Sequence, residues 1–462
     1  MVRIVSLFLL LAGSLWAQRS GTANEAKNEP PDELGKFKYN CPFKHIAGCA
    51  ELLFTGQPIH IALGSIAPQN GFAAGLAYVG HKDSSNWSTS WSADAIASNN
   101  ASWRAGVYLK FVDTRLKTMK PQFGTPDSSD SNPYPEQPVF NLYAQSISLN
   151  KLTFFGLGPD TTRAGRSFFG MTEHIVGGNA IRPIYERLSV GVYGEINGRA
   201  VDIRPSTGQP SPSIEQLYND VSAPGLSEQP FFLQLGAGIR MRPSAFNNLL
   251  HFNYDVSYKP FIAASGPGFS FQRLTFDLNQ EISLYHKNPL VQRDTNGPND
   301  CRMDPSDPHS KCRPITSRTL QGSLGLRAYT VLSMTPGGNV VPFYFQPTLG
   351  GSDLNGDSSL SSYQDYRFSA PNVLLFQEKF EHSIGNWPLG ILLRADQGKV
   401  ALTRGDLGSN HWNHSYAAGL TLRAGGFPQV YLLFAFGGNE GTHTIGYMNT
   451  SLLGSSARPS LY

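Results

Sequence analysis

Two histidines three positions apart, His411 and His414 in the run His-Trp-Asn-His, have the spacing of a metal-binding pair. Zinc or copper would need further thiolate, imidazole or carboxylate ligands. None flanks this pair, so it reads as a polar loop. Asp127, Asp130, Asp353 and Asp357 lie in stretches rich in Ser, Gly and Asn, where closely spaced carboxylates can ligate calcium. Solvated turns use the same residues and are the preferred reading. A nucleophilic serine of the hydrolase type would call for a G-x-S-x-G elbow, which the chain lacks. No metal, cofactor or enzymatic activity is therefore expected. A membrane-embedded phospholipid hydrolase, built from serines and histidines scattered over wet faces, is the enzymatic alternative.

The elements that would position any chemistry come next. The chain opens with MVRIVSLFLLLAGSLWAQ: a basic residue, a short apolar core, then a small residue at Ala17. This is the pattern of a secretory signal peptide spanning 1–17, with a core too short to cross a bilayer. No later run is apolar enough for a transmembrane helix. Charged residues make up 15% of the 462, against roughly 25% in soluble domains. A net charge of +3 without a basic run gives no case for nucleic acid. In an exported chain the four cysteines, Cys41 with Cys49 and Cys301 with Cys312, read as two local disulfides. A four-cysteine metal site is the less favoured reading, since both pairs would have to meet across a long separation.

Much of the remaining chain alternates with a period of two. Ala105, Val107, Leu109 and Phe111 oppose Arg104, Tyr108 and Lys110. Leu274, Phe276, Leu278 and Ile282 oppose Arg273, Asp277, Asn279 and Glu281 in the same way. One face is apolar and one wet, as in strands with a single buried side. The alternations hold for about ten residues or more, beyond the usual 5–6 of soluble strands and enough to span hydrocarbon when tilted. The expected fold is all-β: a transmembrane antiparallel β-barrel with lipid outside and a polar lumen inside. A soluble sandwich or propeller is the alternative. Sixteen segments are expected near 58–68, 71–81, 87–97, 101–113, 138–149, 166–182, 184–200, 230–241, 248–261, 269–286, 316–333, 372–384, 389–402, 414–425, 428–438 and 443–453. Trp87, Trp91, Trp103, Tyr143 and Trp387 suit interface girdles or lumen packing. Residues 18–57 form a polar tether with the Cys41–Cys49 knot, 58–453 the barrel, and 454–462 a tail.

Between the eleventh and twelfth segments runs PFYFQPTLGGSDLNGDSSLSSYQDYRFSAPN. Its Gly350-Gly351, the LSSYQDYRF segment from Leu360 to Phe368 and their position resemble the lumen-directed sixth loop of the BamA/TamA/FhaC superfamily, the bacterial surface antigen type. The twelfth segment, LLFQEKFEHSI, the thirteenth, RADQGKV, and the earlier LTFFGLGPDTT are similar to further family patterns. The resemblance implies a lumen-loop motif of Gly350, Gly351, Leu360, Ser361, Tyr363 and Arg367. It implies inner-wall charges at Lys379, Glu381, Arg394 and Asp396; a one-residue slip would turn Glu378 inward instead. Ser361 stands where the family carries an arginine. Asp396 should then take its cation from Arg367, Arg394 or Lys379.

What the resemblance implies is an outer-membrane barrel, and the sequence departs from the family's insertases in having no room for their polypeptide-binding repeats. Its role would be membrane assembly, protein insertion or gated transport, with lipids and unidentified assembly partners around it. A passive diffusion channel or structural barrel is the alternative. The Cys301–Cys312 loop is expected on the periplasmic side if 58–68 is the first strand. It would be surface-exposed if 341–350 forms a strand instead.

Overall fold

The computed structural model describes residues 59–115, 138–185, 188–206, 212–246, 249–265, 268–287, 290–291, 316–317, 320–385, 389–408, 411–424, 427–438, 440, 443–448 and 458–462. The leader, the tether and all four cysteines lie outside them, as do Asp127, Asp130 and Trp387. Among the described residues sixteen strands form one antiparallel sheet, a two-residue stub at Ser244–Ala245 making a seventeenth member. They are β1 Ile59–Gly64, β2 Ala73–Asp83, β3 Trp87–Ser98, β4 Trp103–Asp113, β5 Val139–Phe154, β6 Ser167–Tyr185, β7 Val190–Pro205 and β8 Phe232–Met241. The series continues with β9 Leu250–Ala263, β10 Phe271–Lys287, β11 Leu320–Met334, β12 Asn372–Ser383, β13 Leu389–Ala401, β14 Asn413–Ala424, β15 Phe427–Phe436 and β16 His443–Met448. Each pairs with the next, so the topology is an uninterrupted meander.

Laid flat, sixteen strands about 4.8 Å apart would hold their edges about 70 Å from each other. Two adjacent residues of the β11–β12 connection reach both edges. Tyr366 donates its hydroxyl to the carbonyl of Pro68, just after β1, at 3.2 Å. Arg367 pairs with Glu440, just before β16. The sheet is therefore curled into a barrel around this connection.

Side-chain placement follows the curl. Arg104, Gln145, Glu173, Asn197, Arg199, Gln234, Arg273 and Asp396 are all buried. Val107, Val176, Ile196, Ile239 and Leu393 on these strands, and Phe434 on β15, are exposed. A soluble sandwich buries its apolar face; here the wet face is inside and the apolar face outside, as a barrel in lipid requires. Trp87 and Trp103 keep 40% and 39% exposure, whereas Tyr143 is buried in the lumen and is no girdle residue.

Strand direction places the start of β1, the end of β10, the start of β11 and the end of β12 at one rim. The β5–β6, β7–β8 and β11–β12 connections leave from the opposite rim. Residues 341–350 form no barrel strand: they hold a short 3-10 turn at Phe343–Phe345 and the two-residue piece Thr348–Leu349.

Candidate functional site

The β11–β12 connection, 335–371, folds into the lumen. Its aromatic start anchors it. Phe343 packs edge-on against Phe154 and Phe169, each at 5.2 Å between ring centres. Phe345 meets Phe232 at 5.1 Å and Phe261 at 5.4 Å, so β5, β6, β8 and β9 all grip it. Buried aromatic pairs of this kind contribute about 0.5–1.5 kcal/mol each beyond their area. Arg273 of β10 donates to the Phe345 carbonyl from beneath.

Beyond the anchor the chain doubles on itself. Thr348–Leu349 pairs with Phe368–Ser369, and Gly351–Ser352 with Ser358–Ser359. The glycine pair makes this fold-back possible. Gly350 and Gly351 have φ of 105° and 59°. A Cβ on Gly351 would sit 2.6 Å from the Asp365 nitrogen, and one on Gly350 2.6 Å from the Arg367 Cβ. Only glycine suits both the backbone and the approach.

Leu360 and Tyr363 are buried with Leu349, Phe368, Val373 and Val400 against the inner wall of β12 and β13. Ser361 is fully buried, and its hydroxyl has no hydrogen-bond partner; the Ser362 amide donates to Ser415 Oγ of β14 at 2.8 Å. Arg367 lies under the fold-back. Its Nη1 and Nη2 donate to Thr161 Oγ1 and the Thr161 carbonyl at 2.9 and 2.7 Å. Its guanidinium stacks over Phe155 and Phe368. Phe155 and Thr161 belong to the LTFFGLGPDTT segment, whose Gly158 amide also donates to Ser369 O at 2.8 Å.

The inner wall supplies the opposing surface. Arg394 Nη2 lies 2.6 Å from Asp396 Oδ2, and Gln377 Nε2 donates to Asp396 Oδ1 at 3.1 Å. Arg394 Nη1 and Gln377 Nε2 also donate to the hydroxyl and carbonyl of Ser358 in the loop, at 2.9 and 3.0 Å. Arg327 of β11 extends the row, bonded to Asp277 and Gln377. Asp396 thus has Arg394 beside it, while Arg367 turns to Glu440 and Lys379 pairs with Glu381 at 3.2 Å. Glu378 points outward and is exposed.

Other groups at this site were not singled out in the sequence. The segment Arg458–Tyr462 lies in the lumen, where Tyr462 donates to Asp353 at the loop tip. A buried pair, Arg199 and Glu173, sits 3.0 Å apart on the facing wall. Alternation marks both as inward, and the register of the β6–β7 pair, with Glu173 opposite Val201 and Arg199 opposite Ile175, sets them diagonally side by side. Asp353 Oδ1 accepts from the amides of Asn355 and Asp357 at 2.9 and 2.8 Å, a turn closed on its own backbone. Among the described residues no three potential metal ligands converge.

No described protein family and no curated protein matches the chain. In architecture it is similar to BamA of Haemophilus ducreyi lacking POTRA domains 1–3, with a TM-score of 0.47 at 10% identity over 84% of this chain and 69% of that one. It is also similar to CdiB of Acinetobacter baumannii, with a TM-score of 0.43 at 11% identity; the chain spans 58% of that protein's length. At these scores neither likeness bears on function.

Proposed function

We propose that this chain is an outer-membrane β-barrel protein of the bacterial surface antigen type. Its lumen is closed by the 335–371 loop, and it passes or inserts a substrate only when that loop moves. The observation that carries the reading is the filled lumen. The loop is gripped at its aromatic start and at Ser358 by barrel strands, and at Arg367 by the β5–β6 connection and the turn before β16. A passive channel gains nothing from a plug with so many dedicated partners. The leader expected from the sequence and the apolar exterior support the outer membrane as its place, with lipids as its first partners. Assembly, insertion and gated transport are the roles this closure suits.

Conductance in planar bilayers tests the proposal. The intact protein should show small, infrequent openings, and deletion of 352–366 should give a large, steady pore. A steady pore of similar size in both proteins would identify a passive channel.

A further inference from the structure

The segment Arg458–Tyr462 runs through the lumen without pairing to any strand. It is read residue by residue. Arg458 Nη2 lies 2.8 Å from Asp94 Oδ2 of β3. Arg199 Nη2 of β7 donates to the Ser460 carbonyl at 2.8 Å. The Leu461 amide donates to Asn355 Oδ1 at 2.9 Å, and Asn355 Nδ2 to Ser460 Oγ at 3.2 Å. The Leu461 side chain is buried in the main apolar cluster. Tyr462 donates its hydroxyl to Asp353 and lies under the Arg273 guanidinium at 5.9 Å.

The groups that read it are held by other partners. Arg104 fixes Asp94 at 3.0 Å; Glu173 and Asn197 fix Arg199 at 3.0 and 2.9 Å; Asp353 is fixed by the loop backbone. Such preorganisation, with side chains reading both the backbone and the side chains of an extended segment, is how peptide-binding sites are built. One end of the segment rests on the Arg458–Asp94 ion pair and the other on the Tyr462 hydroxyl's bond to Asp353, contacts that an incoming chain can replace one at a time.

We propose that the lumen contains a binding site for an extended peptide of the pattern Arg-x-Ser-Leu-Tyr, which residues 458–462 occupy in cis as a displaceable latch on the inward loop. This rests on the reading of a closed lumen and adds what holds it closed. A peptide with a basic residue four positions before an aromatic hydroxyl would compete for Asp94 and Asp353 and displace residues 458–462 from the loop tip at Asn355.

The test uses a labelled, amidated synthetic peptide, Ala-Arg-Pro-Ser-Leu-Tyr, and the full chain in detergent. Fluorescence anisotropy is compared between the wild-type protein and the double variant Arg458→Ala/Tyr462→Ala. The peptide should bind the variant about tenfold tighter or more, since wild-type protein must first release its own charge-assisted contacts. An analogue with Ala for Arg should not bind. Equal binding to both proteins, binding to neither, or equal binding of the analogue overturns the proposal. If the double variant does not fold, Tyr462→Phe, which removes one hydroxyl, should show a gain of about threefold. Conductance of the same samples separates the two readings. Gated openings without peptide binding remove the latch alone; peptide binding by a steadily open pore removes the gate alone.

Discussion

At Arg367 one buried guanidinium joins the loop to Thr161 after β5 and to Glu440 before β16. Substitution by Ala leaves the Glu440 carboxylate, whose side chain is 8% exposed, without its cation. Stranding a buried charge in this way costs about 3–5 kcal/mol. Arg367→Ala should lower the thermal unfolding midpoint in detergent by several degrees. Arg367→Lys should recover part of that loss, keeping the charge but losing the two Thr161 contacts and the stacking. An unchanged midpoint for the alanine variant would contradict the role given to this pair. Arg367 was legible as a member of the loop motif only through the family resemblance, and there as one of three cations offered to Asp396. Its partner was not, because Glu440 sits in a turn 73 residues further on, and only the curl of the sheet brings it back. For Asp396 the opposite holds: Arg394 lies two positions away on the same face of β13, where alternation alone sets them together.

The sixteen strands are legible for the same reason that their ends are not. Period-two alternation marks the existence and facing of each one, and all sixteen expected segments overlap an observed strand. Ends are set by turns and register shifts. β5 runs past 149 to Phe154 across an irregularity between Leu149 and Leu152, which resets the alternation. β7 starts at Val190 rather than 184 because β6 continues to Tyr185. β1 ends at Gly64 because Asn70, whose amide bonds to the Ala67 carbonyl, belongs to the turn that follows. The outward face itself can be tested. Ile196 of β7 is 56% exposed. Ile196→Lys should cost about 2–4 kcal/mol if it lies near the bilayer midplane, measured by urea unfolding from lipid vesicles, while Ile196→Phe should be nearly neutral. Equal cost for both would place this face outside hydrocarbon.

Over the whole molecule, Asp353 is where the loop and the lumenal tail meet β11. Burial, and then the neighbouring Asp357, push its carboxyl up to about 7, against hydrogen bonds from Tyr462 and the backbone of Asp357 and Asn355. Tyr329, Arg273 and Arg327 also face this region. A carboxyl raised on folding favours the folded form when protonated. That contribution is complete below the ordinary carboxylate range and is lost as pH rises through about 7. The intact protein should unfold at a higher temperature at pH 5 than at pH 8, and Asp353→Asn should flatten that difference. An unaltered slope in the variant would assign it to other groups. Tyr366 and Arg367, side by side in the chain yet bound to opposite margins of the sheet, also carry a consequence for the order of assembly. Neither margin is near its anchor until the meander has gone round, and the Tyr366 contact spans 298 positions. Such distant pairings form slowly and late. Weakening either anchor should therefore hasten unfolding and leave the folding rate almost unchanged.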